Sequence, residues 1–182
     1  MKKTSLEDWK IVREEPTMPF LTHCIYETEN SNFAFFFSQI EEWSLMKYCT
    51  HLQIYKDKEA PKKIYDSKSV WFLFNIFSEE LDYIYDWTSD MLICFRQLIN
   101  HGQNKYTYPY IIINLGNFKF TAIRDKLFTS LVRDGNIITS TETIIDKENK
   151  TEKKVVEQYK LDEMEWLPLS ELSDKATVKN SN

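Results

Sequence analysis

Four stretches of the chain carry apolar residues at the spacing of an amphipathic helix. The most regular lies within residues 79–101, where apolar side chains recur every three or four positions before Gly102. Ser78 precedes it as a good N-cap, because its hydroxyl oxygen can accept from a free backbone N–H. The longest helix is therefore predicted here. Shorter helices are predicted after the capping box at residues 4–7, over residues 33–46, and from Thr121 to Gly135.

Other stretches alternate or are continuously apolar, as β-strands are. Strands are predicted over residues 20–26, 48–55 and 106–114. Two β-branched runs, 137–145 and 155–161, flank a polar segment and predict a long hairpin at residues 137–161. Residues 70–77 are nearly all apolar, so a buried strand and an extension of the next helix both fit them. The N-cap at Ser78 favours the strand.

Together these elements predict one α+β domain over residues 1–172, with three to four helices and a mixed or antiparallel sheet. Residues 137–161 would form a projecting C-terminal β-hairpin. Residues 166–169 would pack the end of the chain onto the core. The lysine-rich stretch 56–68 is predicted to be a surface loop, and the polar residues 173–182 a flexible tail.

Composition excludes several classes of protein. With three glycines in 182 residues, no glycine-rich phosphate loop is present. No nucleotide or other small-molecule cofactor is therefore expected. A net charge of −5 argues against a protein that coats nucleic acid. Three widely spaced cysteines do not suggest a disulfide framework, and no apolar run reaches the roughly 18 residues of a membrane span. A cytoplasmic protein without membrane contact is expected.

Cysteine and histidine pairs raise the question of a metal site. His23–Cys24 and Cys49-x-His51 provide ligand types that zinc prefers, but their spacing is not that of a zinc knuckle. If residues 20–26 form a strand, His23 and Cys24 point to opposite faces of the sheet. No metal is therefore expected.

Histidine also provides the candidate catalytic residues. His51 and His101 are candidate general bases for RNA cleavage, because an imidazole titrates near neutral pH. Lys105 or Arg96 would then stabilise the charge that develops on the phosphate. A structural role is the simpler interpretation of each, and His101 would be a cation at a helix C-terminus.

Acidic residues cluster within residues 79–90, which contain no Lys or Arg. On a helix, three of them would lie on one face at spacings of four, forming an acidic stripe that is either solvated or docks on a basic partner. The lysines of the predicted hairpin would contact that partner or an RNA backbone. The candidate partner-binding residues are Glu79, Glu80, Asp82, Asp86, Asp90, Lys150, Lys153 and Lys154.

In these acidic residues, the lysine-bearing hairpin and the opening residues 1–9, the chain resembles the small anti-CRISPR inhibitors of type II CRISPR nucleases carried by phages and mobile elements. The resemblance implies a cytosolic protein of the bacterial host that binds the RNA-guided effector nuclease or its guide RNA and blocks its activity, with or without truncation of the guide. An RNA-cleaving enzyme using His and Lys, and an unrelated immunity or interaction domain, stay open as alternatives.

Overall fold

In the computed structural model the described residues are 1–12, 22–43, 46–67, 71–75, 84–100, 103, 106–123, 129–146 and 151–172. Within them the regular structure consists of strands and two short 3-10 turns, Thr88–Asp90 and Leu169–Glu171. The strands are β1 (Lys2–Thr4), β2 (Thr22–Glu27), β3 (Phe33–Trp43), β4 (Met46–Lys56), β5 (Lys62–Ser67), β6 (Trp71–Asn75), β7 (Ile84–Trp87), β8 (Leu92–Asn100), β9 (Tyr106–Thr107), β10 (Tyr110–Asn114), β11 (Lys119–Ile123), β12 (Thr129–Asp134), β13 (Ile137–Asp146), β14 (Thr151–Lys160) and β15 (Leu167–Pro168).

These strands form one large and one small antiparallel sheet. The large sheet has twelve strands along the path β1-β2-β3-β4-β6-β8-β10-β11-β15, with β5 on β4 and with β7 and β9 on β8. The small sheet is β12-β13-β14. In the large sheet the ring of Phe35 on β3 lies 5.3 Å from that of Phe95 on β8. The half of the large sheet that contains β3 therefore faces the half that contains β8, with an aromatic core between them.

The α+β prediction was wrong, and residues 33–46 show the reason. Phe33, Phe35 and Phe37 face the main core, whereas Ala34 and Phe36 face a second cluster that Trp9 covers. Apolar residues at consecutive positions satisfy a helical spacing as well as an alternating one, so periodicity could not separate the two. Burial on both faces and aromatic side chains favour the strand, which is β3.

The longest predicted helix, residues 79–101, is also absent. Its described part consists of β7, the 3-10 turn Thr88–Asp90 and β8, paired as a hairpin. Ile93 and Cys94 are fully buried although the helical pattern placed them away from the apolar stripe. Met91 has a φ of 61° directly after the turn, which reverses the chain where a helix would continue.

The other two predicted helices are corrected in the same way. After β1, a capping box forms one residue later than predicted: the Asp8 backbone N–H donates to Ser5 Oγ at 3.1 Å, and the Ser5 backbone N–H donates to Asp8 Oδ2 at 3.2 Å. It closes only a turn over residues 6–10. From Thr121 onwards the described residues belong to β11 and β12. Gly135, predicted to stop a helix, has a φ of 56° in the tight turn between β12 and β13, where glycine avoids strain.

The C-terminal predictions were more accurate. β13 and β14 pair from Ile137↔Lys160 to Asp146↔Thr151, which confirms the hairpin. β15 pairs with β11, and Leu169 is buried, which confirms that this segment packs on the core.

The predicted loop at residues 56–68 is wrong in part, because β5 (Lys62–Ser67) pairs with β4.

Two apolar clusters lie on opposite sides of the sheet half that contains β8 and β10. One joins the two halves of the large sheet, including Phe35, Phe95 and Ile111. The other contains Ile112 of β10 together with Ile138 of β13, so the small sheet packs against the large one. This second interface positions the hairpin against β8 and β10.

Candidate catalytic site on the outer face of the sheet

A row of polar side chains crosses four adjacent strands of the large sheet. His23 on β2 is in register with Ser38 on β3, and Ser38 is in register with His51 on β4. Asp66 on β5 is in register with Gln53, one side-chain repeat beyond His51. Directly paired residues share a face of the sheet, so this outer face carries all four groups. The two histidines are separated by two strand spacings, about 10 Å.

His51 is held by hydrogen bonds at both ring nitrogens. Its Nε2 lies 2.6 Å from Asp66 Oδ1, and its Nδ1 lies 3.2 Å from Ser38 Oγ. We assign the ring proton to Nε2, because an ionised carboxylate is an acceptor only. Nδ1 then accepts from the Ser38 hydroxyl. Nδ1 is therefore a basic nitrogen that faces Ser38, and the Asp66 carboxylate on the Nε2 side of the ring fixes the orientation of the imidazole.

Asp66 is the centre of the surrounding network. Lys63 Nζ lies 2.7 Å from its Oδ2, and Gln53 Nε2 donates to the same oxygen at 3.1 Å. Tyr55 donates in turn to Gln53 Oε1 at 3.0 Å. Desolvation raises the pKa of Asp66, but the hydrogen bonds from Lys63, His51 and Gln53 outweigh it and lower the pKa to about 2. The carboxylate consequently stays ionised throughout the neutral range.

The low pKa of Asp66 predicts a specific dependence of folding on pH. Because the pKa of Asp66 is about 2 in the folded protein and the ordinary pKa of an aspartate, 3.8, applies in the unfolded chain, the charged group stabilises the fold above pH 3.8. That contribution should disappear progressively as the pH falls from about 4 to about 2. The Asp66→Asn variant should lack it. Urea unfolding across this range should therefore show the two proteins converging, and a constant difference would contradict the assignment.

Two kinds of chemistry use a histidine oriented in this way. A Ser–His–Asp relay would make Ser38 a nucleophile, but acyl transfer also needs donors aimed at an oxyanion. In β3 and β4 the backbone N–H groups lie in the plane of the sheet, bonded to neighbouring strands, so they do not converge above Ser38. RNA cleavage needs neither a protein nucleophile nor such a hole, because the ribose 2′-OH attacks. The site fits the second chemistry better.

The described residues do not combine into a metal site. Among them no group of three His, Cys, Asp or Glu side chains is placed to hold an ion. Cys49 is fully buried in the main core, whereas His51 lies on the outer face with its side chain 12% exposed. Cys49 therefore packs among apolar side chains, whereas His51 is held by Ser38 and Asp66.

Of the predicted catalytic residues, His51 is the one that the structure surrounds with suitable partners. His101 and Lys105 lie outside the described residues. Arg96 is buried, and its guanidinium lies 5.5 Å and 5.3 Å from the ring centroids of Tyr108 and Tyr110. It therefore belongs to an aromatic cluster around β8 and β10 and not to the row of polar side chains that contains His51.

The acidic stripe does not exist as a helical face. Asp86 lies on β7 with its side chain 7% exposed, and its carboxylate accepts from Thr88 Oγ1 at 2.6 Å and from the Glu29 backbone N–H at 2.8 Å. Asp90 is 59% exposed and pairs with Arg133 at 2.6 Å. Glu79, Glu80 and Asp82 lie outside the described residues. Asp86 thus joins two turns, and Asp90 lies at the surface.

The hairpin lysines are on the small sheet. Lys153 and Lys154 are exposed on β14, opposite Ile144 and Thr143 respectively, and so point to opposite faces. Lys150 lies outside the described residues. The lysines and the acidic residues therefore occupy separate elements, and whether either set binds a partner stays a prediction.

Sequence reasoning missed Ser38, Lys63 and Asp66, and it considered His23 only as a metal ligand. Ser38 lies in a segment predicted to be helical, and Lys63 and Asp66 lie in the predicted loop at residues 56–68. Burial does not alternate along β5, because Ile64 and Tyr65 both pack against the core cluster, so no period-two signal marked this strand.

Comparisons with known proteins do not identify a relative. No family model matches the chain, and no curated protein or solved structure is significantly similar to it. Among the described residues, no helix has the length and apolar character needed to cross a bilayer. The functional argument consequently rests on the arrangement of this chain's own side chains.

Proposed function

We propose that this protein cleaves RNA without a metal ion and that its substrate is the guide RNA of a type II CRISPR effector nuclease. Cleavage of the guide would inhibit that nuclease. The observation that carries the proposal is the His51–Asp66 contact of 2.6 Å, set beside Ser38 and in one row with His23. The two histidines supply the acid and the base that phosphodiester transfer requires.

The residues have distinct roles in this reaction. His51 Nδ1 accepts the proton of the ribose 2′-OH as the 2′ oxygen forms its bond to phosphorus. His23, protonated, donates to the 5′ oxygen as the bond between phosphorus and that oxygen breaks. The products are a 2′,3′-cyclic phosphate and a 5′-hydroxyl. Asp66 keeps the His51 proton on Nε2, and Lys63, paired with the other oxygen of the same carboxylate, keeps Asp66 ionised.

The open position of the row suits a polymeric substrate. His23 is exposed, and its ring lies 5.6 Å from that of Phe36. Ser38 and His51 are partly exposed on the same face of the sheet. A strand of RNA can therefore approach across β2 to β5. With a net charge of −5, however, the protein has little general attraction for nucleic acid. The effector, which holds the guide, would supply most of the affinity.

The guide RNA is named as the substrate because the chain resembles anti-CRISPR proteins in its hairpin and its opening residues. A second candidate function is inhibition by binding alone. The exposed Lys153 and Lys154 on the hairpin support it, since they could contact the effector or its RNA.

The test is to incubate the purified protein with an end-labelled guide RNA, free or bound to a type II nuclease, in the presence of EDTA. We expect a shortened guide bearing a 2′,3′-cyclic phosphate, formed faster from the complex. An intact guide together with an inhibited nuclease would reject cleavage and leave binding inhibition. An intact guide with a fully active nuclease would reject both functions.

A further inference from the structure

The outer edge of β14 lies on the small sheet, separate from the histidine row. Among the described strands, β14 pairs with β13 alone, although it is 10 residues long. An edge strand of this length offers backbone donors and acceptors to a further strand. On it, the side chain of Val156 is 58% exposed on the face of the sheet turned away from the core. Burial of this valine would favour addition of another strand.

We propose that β14 pairs antiparallel with β14 of a second copy of this chain, about a two-fold axis at Val156, joining two three-stranded sheets into one. The axis of such a pair is perpendicular to the sheet, so each face continues into the same face of the partner. Residues that lie directly opposite each other must then point to the same face of the sheet. The two-fold axis can therefore pass through a residue position but not between two positions, since an axis between two residues would pair side chains of opposite faces.

Charge complementarity supports the centre at Val156. In this register Glu152 lies opposite Lys160 of the partner subunit, whose ammonium group also pairs with Glu163 of its own chain at 2.7 Å, and the same arrangement recurs on the other side of the axis. Lys154 lies opposite Gln158, and no like charges meet. The two exposed valines contact each other at the axis, away from water.

Neighbouring registers are less favourable. A two-fold axis at Lys154 would place Lys154 of one copy opposite Lys154 of the other. An axis at Glu157 would place the two Glu157 side chains opposite each other and Lys154 of one copy opposite Lys160 of the other. Like charges directly opposite destabilise a pair of strands. A centre at Val155 also avoids like charges and places Lys153 opposite Glu157, but it leaves the exposed Val156 facing Lys154, and the half-buried Val155 then lies at the axis. Between these two registers, burial of the exposed Val156 favours the centre at Val156.

The oligomeric state of the full chain tests this proposal. Sedimentation equilibrium should show a monomer–dimer equilibrium at micromolar concentration. Val156→Lys should shift it to monomer, because two ammonium groups would meet at the axis. Val132→Lys is the matched control, since Val132 is 65% exposed on the small sheet's other edge strand, β12. It should leave the equilibrium unchanged, and equal thermal midpoints for both variants would show that the fold is intact.

A charge exchange tests the register itself. Glu152→Lys and Lys160→Glu should each weaken the dimer about tenfold, since each creates two like-charged pairs. The double variant should restore the affinity of the natural chain. The proposal is overturned if the natural chain is monomeric, if both valine variants behave alike, or if the double variant is no tighter than the single ones. None of these outcomes depends on whether the protein cleaves RNA.

Discussion

Replacement of His51 by alanine is expected to slow the proposed guide RNA cleavage by about 10²–10⁴-fold, the usual contribution of a general acid or base. Binding to the effector should be unchanged, because His51 contributes one partly buried side chain to the outer face. The rate should be measured at saturating complex, by the appearance of the shortened guide. A lower rate with unchanged binding would separate a catalytic role from a structural one.

Replacement of His23 gives an independent measurement of the same roles. His23→Ala should also slow cleavage by about 10²–10⁴-fold, because the departing 5′ oxygen then lacks its proton donor. Tyr55→Phe is the matched control, because its hydroxyl lies at the far end of the network, bonded to Gln53. If Tyr55→Phe slows cleavage as strongly as His51→Ala, the assignment is wrong.

Replacement of Asp86 by alanine is expected to lower the free energy of unfolding by about 2–4 kcal/mol, since the buried Thr88 hydroxyl loses its acceptor and the Met1 ammonium group, 3.3 Å from Asp86 Oδ2, loses its counter-charge. Its Oδ1 accepts from Thr88 Oγ1, and its Oδ2 accepts from the Glu29 backbone N–H. The Asn30 backbone N–H donates to the same threonine hydroxyl at 2.9 Å. Asp86 therefore ties the turn after β2 to the turn after β7. Denaturant unfolding monitored by tryptophan fluorescence measures the loss.

Asp90→Ala is the matched control for this prediction. Asp90 is 59% exposed and pairs with Arg133 at the surface, so its loss should cost under about 1 kcal/mol. Asp86 and Asp90, which were equivalent in the predicted acidic stripe, should then differ clearly in how much their loss lowers the free energy of unfolding. Equal effects would contradict the structural role of Asp86. If Asp90→Ala weakens inhibition of the nuclease while the fold is stable, the docking interpretation survives at that residue.

The outcome of the sequence predictions depended on how densely apolar residues are spaced. The β-branched runs at residues 137–145 and 155–161, with a polar segment between them, favour strands over a helix, and the hairpin was predicted correctly. In residues 33–37 of β3 and 92–95 of β8 both faces are buried, so apolar residues occupy consecutive positions. A helical spacing can then be read from a strand, and only the layers packed on either side distinguish the two.

Sequence alone thus determined the C-terminal hairpin, the strand over residues 48–55 and the packing of residues 166–169, because local periodicity and turn residues specify them. It also selected His51 as a candidate, from the chemistry of its side chain. Only the tertiary structure placed Ser38 and Asp66 beside His51, since cross-strand register joins positions that are 13 and 15 residues apart. The tertiary structure also showed that Asp86, which was predicted to lie on a helical stripe, connects two turns by hydrogen bonds. Register depends on the packing of the whole sheet, which no local window of sequence contains.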